Sequence, residues 1–115
     1  MNNRLTKRQR LLHSQDFSQV FSQPARRVST PQLLMLTQTN ELGVARLGLV
    51  ISRKNVGCAV ARNRIKRLCR EAFRMRAGDF ATIDIIVLAR SGLSQLDNSA
   101  ITAMLNSLFD KLCHA

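Results

Sequence analysis

Between residues 59 and 76 the apolar positions recur at helical spacing, and at about 100° per residue Ala61, Ile65, Leu68, Ala72 and Met75 fall on one side. The opposite side collects Arg62, Asn63, Lys66, Arg67, Arg70 and Arg74, with Glu71 the one acid in 61–76. The pattern predicts a long amphipathic helix over 59–76 that stops at Gly78. Cys69 lies at the margin of the apolar stripe as a small core residue, Phe73 at an edge of the core, and Arg64 at the stripe's border.

Upstream, Phe17, Val20 and Phe21 at i, i+3, i+4 predict a first short helix, with Ser14 or Asp16 to cap it. Pro24 and Pro31 bracket residues 25–30, a stretch suited to a turn and an extended entry. Residues 32–39 and 45–52 read as strands, the second alternating Leu47, Leu49 and Ile51 against Arg46, Gly48 and Val50, and 40–43 suits a hairpin between them. A polar loop over 53–58 leads into the basic helix. Residues 82–89 form an apolar strand with Asp84 near its start. After Ser91 and Gly92, the spacing of Ile101, Met104, Leu105, Leu108 and Leu112 predicts a last helix capped by Asp97, Asn98 or Ser99.

The order is helix, two or three strands, helix, strand, helix, which makes an α+β chain whose 115 residues suffice for one core. By default the strand, basic helix, strand segment is a right-handed crossover between parallel neighbours. Residues 1–12 read as a basic extended arm, and the whole of 1–115 is taken as one domain.

Charge narrows the partners. Eighteen Lys and Arg stand against seven Asp and Glu, a net charge of +11, and such an excess speaks to what a protein binds rather than to its fold. Arg62, Lys66, Arg70 and Arg74 form an i, i+4 row of like charges that costs the free helix about a few tenths of a kcal/mol per pair. A polyanion is expected to offset that repulsion. Nucleic acid suits a packed basic domain better than a membrane surface or an acidic protein does, because releasing counterions from phosphates drives binding. A helix-turn-helix is disfavoured, since 53–58 joins the basic helix to a strand. A membrane binder needs an apolar face left outside the core.

No stretch approaches the roughly 20 apolar residues of a membrane span, and Arg4, Lys7, Arg8 and Arg10 interrupt any signal-like start, so the cytoplasm is the expected location. Cys58, Cys69 and Cys113 are widely spaced, and His13 and His114 are far apart, so neither a disulfide framework nor a zinc site is expected. No nucleophile stands beside a base and no carboxylates cluster, so no catalytic residue and no metal ligand is assigned to the protein.

The run Arg62-Asn63-Arg64-Ile65-Lys66-Arg67-Leu68, followed by Arg70-Glu71-Ala72-Phe73-Arg74, closely resembles the signature helix of the bacterial ribonuclease P protein family. Arg10-Leu11, Asp16-Phe17, Val20-Phe21, Arg46-Leu47-Gly48, Ser52-Arg53-Lys54, Ala59-Val60 and residues 84–90 follow in that family's order, so the resemblance covers essentially the whole chain. It implies the accessory protein subunit of a ribonucleoprotein endonuclease whose RNA removes the 5′ leader of precursor tRNA, leaving a 5′-phosphomonoester. The implied partners are the catalytic RNA, one protein per RNA, and precursor tRNA, with Mg2+ held mainly by the RNA and no cofactor by the protein alone. The implied fold is a small two-layer α/β sandwich in the order helix-strand-strand-strand-helix-strand-helix, with a left-handed βαβ crossover at the signature helix.

The same resemblance assigns RNA binding to Arg62, Asn63, Arg64, Lys66, Arg67 and Arg70. It places Phe17, Phe21, Arg53 and Lys54 in a leader-binding cleft between the first helix and the sheet. The residue chemistry agrees, for guanidinium suits bidentate phosphate contacts, Lys a point contact and Asn63 a phosphate or 2′-hydroxyl. Aromatic rings stack bases without reading them. The competing readings are a merely solvated helix face, and Phe17 and Phe21 as core residues. The chain has no Tyr or Trp and carries Leu33, Leu34, Met35 and Leu36 where many relatives have an aromatic, so apolar contact is expected to replace some stacking. Arg26, Arg27 and Arg46 read as secondary phosphate contacts or solubility charges.

Overall fold

The structure, a computed structural model, describes residues 9–10, 14–40, 42–80 and 82–113. Most of the arm expected over 1–12 lies outside them. Arg10 forms an isolated parallel bridge to Leu47.

Three helices, α1 (Ser14–Ser22), α2 (Ala59–Arg76) and α3 (Asn98–Cys113), accompany four strands, β1 (Arg26–Ser29), β2 (Leu33–Thr39), β3 (Arg46–Val50) and β4 (Ile83–Ala89). The strands form one sheet in the order β1-β2-β4-β3. β2 pairs antiparallel with β1 and β4, whereas β3 and β4 run parallel, so β3, α2 and β4 make a βαβ unit. The stretch read as an extended entry is thus a true edge strand.

The hairpin expected at 40–43 does not form, because β4 lies between β2 and β3. Burial explains the insertion. Asp84, Ile85, Ile86 and Val87 are successive buried residues facing both sides of the sheet, which suits the centre and not an edge. Asn40 steers the chain past β4: its backbone N–H donates to Thr82 O at 2.9 Å, and its Nδ2 donates to Val44 O at 3.2 Å and Asp84 Oδ1 at 2.7 Å. Gly43, with φ 78°, supplies the left-handed residue of that turn.

One face of the sheet, carrying Leu33, Met35, Leu47, Ile85, Val87 and Ala89, is sealed by α2 and α3 through Ile65, Leu68, Cys69, Phe73, Ile101, Leu105, Leu108 and Phe109. Phe73, Phe80 and Phe109 pack ring against ring, with centroids 5.5–6.3 Å apart. Phe73 is therefore a fully buried centre of the core rather than its edge, and Met75, expected in the apolar stripe, is 75% exposed. The aromatic trio rotates the buried stripe of α2 toward Phe73 and away from Met75. Gly78 does not end α2 as a left-handed cap; a 3-10 turn, Ala77–Asp79, carries the chain on. Asp97 caps α3, its Oδ1 accepting from Ala100 N at 2.8 Å.

The other face has a smaller cover. Val20 of α1 packs on Leu36 and Ile86, while Phe17, Leu34, Val50 and Leu88 surround that cluster half-buried.

Candidate nucleic-acid interface

α1 is fixed across one end of this second face by a charged network. Asp84, almost fully buried, accepts from Arg46 Nε at 2.8 Å and Nη2 at 2.7 Å, while Arg46 Nη1 reaches Asp16 Oδ2 of α1 at 3.3 Å. Arg46, read from sequence as a phosphate contact or solubility charge, is an internal tie, and the two carboxylates raise the pKa of its guanidinium, its hydrogen bonding to Asp84 most of all. Asp16 serves that tie. At the other end of α1, Gln38 Nε2 donates to Gln23 O.

The register shows what α1 leaves open. Val50 and Leu34 both oppose Leu88, one pair further toward the carboxyl ends of β3 and β4 than the Leu36–Ile86 pair under Val20. These side chains, with Phe17 of α1, lie half-buried around the Val20, Leu36 and Ile86 cluster. Phe21 is 44% exposed and Phe17 half-buried, so one ring is accessible and the other shared with the small core. Past Val50 the chain enters the 51–58 loop, where Arg53 and Lys54 are exposed.

That loop feeds straight into α2. Asn63, Arg67 and Arg70 are exposed on its outer side, and Lys66 is half-buried beside them. Among the described residues no acid pairs with Arg67 or Arg70. Arg62 and Arg64 differ from the phosphate-facing expectation: both are half-buried and donate to protein oxygens. Arg62 Nη1 reaches Val56 O at 2.9 Å and Gly57 O at 3.1 Å. Arg64 Nη1 reaches Asn98 Oδ1 at 2.7 Å and Leu96 O at 3.4 Å, and its Nη2 reaches Ser94 O at 3.1 Å. Arg26 likewise donates to Leu112 O at 3.2 Å, near the carboxyl end of α3, while Arg27 is exposed.

A groove of about 850 Å³ runs between α2 and α3. Its lining includes Glu71, Asp79 and Asp110, and Asp110 is ion-paired with Arg76. Three acids against one arginine give that lining the wrong sign for phosphate. Among the described residues no three of His, Cys, Asp and Glu could gather round a metal ion. No helix of the described residues is long and apolar enough to cross a membrane.

The cysteines sort by environment. Cys58 is exposed at the start of α2, where the backbone N–H groups of Ala61 and Val60 favour its thiolate and lower its pKa. Burial pushes Cys69 up to about 12.

Three helices on a four-stranded mixed sheet are also the fold of known proteins. The family model described as Ribonuclease P matches residues 5–113. This chain belongs to the ribonuclease P protein family. The ribonuclease P protein component of Photorhabdus laumondii is 46% identical over 104 residues, covering 90% of this chain and 87% of the relative, and that of Escherichia coli is 44% identical over the same coverage. The Staphylococcus aureus RNase P protein structure at 2.0 Å superposes with a TM-score of 0.83 at 31% identity, covering 90% of this chain and 94% of that one. The Thermotoga maritima RNase P protein gives 0.74 at 30% identity, covering 92% and 96%. Ribonuclease P is the ribonucleoprotein enzyme that processes tRNA precursors, and its protein component is the partner of its RNA.

Proposed function

We propose that this chain binds the catalytic RNA of ribonuclease P through Asn63, Lys66, Arg67 and Arg70, and the 5′ leader of precursor tRNA through the cleft of Phe17, Phe21, Arg53 and Lys54. The observation that carries the reading is the continuity of the two surfaces. The open half of the sheet runs toward the carboxyl ends of β3 and β4, the Arg53–Lys54 loop follows β3, and α2 follows the loop. A single strand laid along the cleft meets apolar floor and an accessible ring first, and cations next. Leader sequence is left unread, because neither stacking nor phosphate contact distinguishes bases.

The protein supplies no catalytic group in this reading. Its cations screen phosphates that crowd where leader, tRNA and catalytic RNA meet, which lowers the Mg2+ concentration needed to bring them together. The Mg2+ ions belong to the RNA, and one protein serves one RNA in the cytoplasm. The test is reconstitution with a bacterial ribonuclease P RNA at low magnesium. Cleavage of precursor tRNA is expected to be faster, and precursor to be preferred over mature tRNA, only when the protein is present. Equal rates with RNA alone would overturn the reading.

A further inference from the structure

Asn63 is flanked by two arginines that reach in opposite directions. Arg62 turns back to the carbonyls of Val56 and Gly57, in the loop that precedes α2, and Arg64 crosses to Ser94, Leu96 and Asn98, where the chain enters α3. Asn55 stitches the two loops together, its Nδ2 donating to Ala89 O at 2.9 Å and its Oδ1 accepting from Ser91 Oγ at 3.2 Å. The loop holding Arg53 and Lys54 is closed within itself as well, with Val56 N donating to Ser52 O at 2.9 Å and Asn55 N to Ser52 Oγ at 3.3 Å.

Arg64 uses both terminal nitrogens of its planar fork for acceptors lying in different directions, and Arg62 reaches two carbonyls with Nη1, which stands one bond further from Cα than an ammonium nitrogen does. Such geometry is that of a clamp on backbone, and it differs from the outward posture of Arg67 and Arg70 on the same helix.

We propose that Arg62 and Arg64 are positioning residues that fasten the loops following β3 and β4 to the first turns of α2, so that Arg53, Lys54, Asn63, Arg67 and Arg70 meet RNA as one rigid array. This rests on the RNA-binding reading above. The array is set before RNA arrives, and the cost of ordering two loops does not fall on the binding step. Removing the charge of a phosphate-contact residue lowers the number of counterions released on binding, whereas loosening a clamp weakens binding without that change.

The experiment measures affinity of the full-length chain for a bacterial ribonuclease P RNA bound to precursor tRNA as a function of salt, at a temperature where circular dichroism shows each variant folded. Arg62→Lys and Arg64→Lys keep every charge. They are expected to weaken binding about 5–10-fold while leaving the slope of log affinity against log salt unchanged. Arg67→Ala is the reference for a direct contact and lowers that slope by about 0.7–0.9. Asn98→Ala removes an acceptor of Arg64 from an exposed position, leaves the Asp97 cap in place, and is expected to weaken binding about 2–3-fold with no change in cation number.

A double-mutant cycle supplies a readout that a general loss of stability does not move. Arg62→Lys combined with Arg53→Ala is expected to cost less than the product of the single effects, since Arg62 acts through the loop that holds Arg53. Multiplicative effects, wild-type affinity in both Lys variants, or a slope lowered by Arg64→Ala as much as by Arg67→Ala would each overturn the clamp. Failure of the wild-type chain to bind this RNA would instead overturn the functional reading on which the clamp rests.

Discussion

The two faces of the sheet are made by the same alternating strands and finished in opposite ways. On one, Leu33, Met35, Ile85 and Val87 disappear under two long helices and an aromatic trio. On the other, their neighbours Leu34 and Leu88 stay half-buried because a nine-residue helix covers only one end. A strand of period two offers both faces equally; the difference lies in how much helix the chain provides for each. The sealed face carries stability, and the open face is left with apolar surface beside cations, the combination that suits a flexible polyanion.

Breaking the sealed face has the largest expected effect. Phe73→Ala removes the ring that stacks on Phe80 and meets Phe109 edge-on, and denaturant unfolding is expected to show a loss of about 3–5 kcal/mol. RNA affinity of the folded fraction is expected to stay unchanged, which separates the two faces. Asp84→Ala attacks the tie between them. It leaves Arg46 without its bidentate partner in a mostly buried setting, and a loss of about 3 kcal/mol is expected, accompanied by faster hydrogen exchange in α1 than in α3.

The open face responds to a smaller change in a different assay. Phe21→Ala is expected to alter stability by less than about 0.5 kcal/mol, yet to weaken binding of leader-bearing precursor by about 1 kcal/mol. Mature tRNA, which has no leader, serves as the control and is expected to bind with unchanged affinity. Thiol chemistry sharpens the contrast without touching either face's energy. Alkylation by iodoacetamide follows the thiolate, so the lowered pKa of Cys58 brings its reaction on at lower pH than an ordinary thiol, while Cys69, held at about 12 by burial, reacts only on unfolding. Mass spectrometry of partly labelled protein reads the order directly.

Local periodicity made much of this legible. The basic helix lies over 59–76 as its spacing predicts, and α3 begins where Asp97 can cap it. Strand order was not legible, because β4 takes the centre through pairing with partners far away in sequence, and a helix-period or strand-period pattern holds no information about such partners. Met75 and Phe73 exchanged roles for a related reason: the buried side of α2 is set by Phe80 and Phe109 on other segments. The arginines were the hardest residues to read. Arg46, Arg62, Arg64 and Arg67 are the same letter in the sequence, and only coordinates separate a guanidinium turned toward a carboxylate or carbonyl from one turned outward.

One of the two interior strands of the sheet, β4, is also the last of the four to be made. Residues 83–89 hydrogen-bond to β2 on one side and β3 on the other, so both partners must wait through the synthesis of α2 before either long edge is closed. Folding of this chain on the ribosome is therefore a late event governed by long-range loop closure, and a nascent chain that ends before residue 83 presents two unsatisfied strands and an unshielded row of cations to whatever RNA is near.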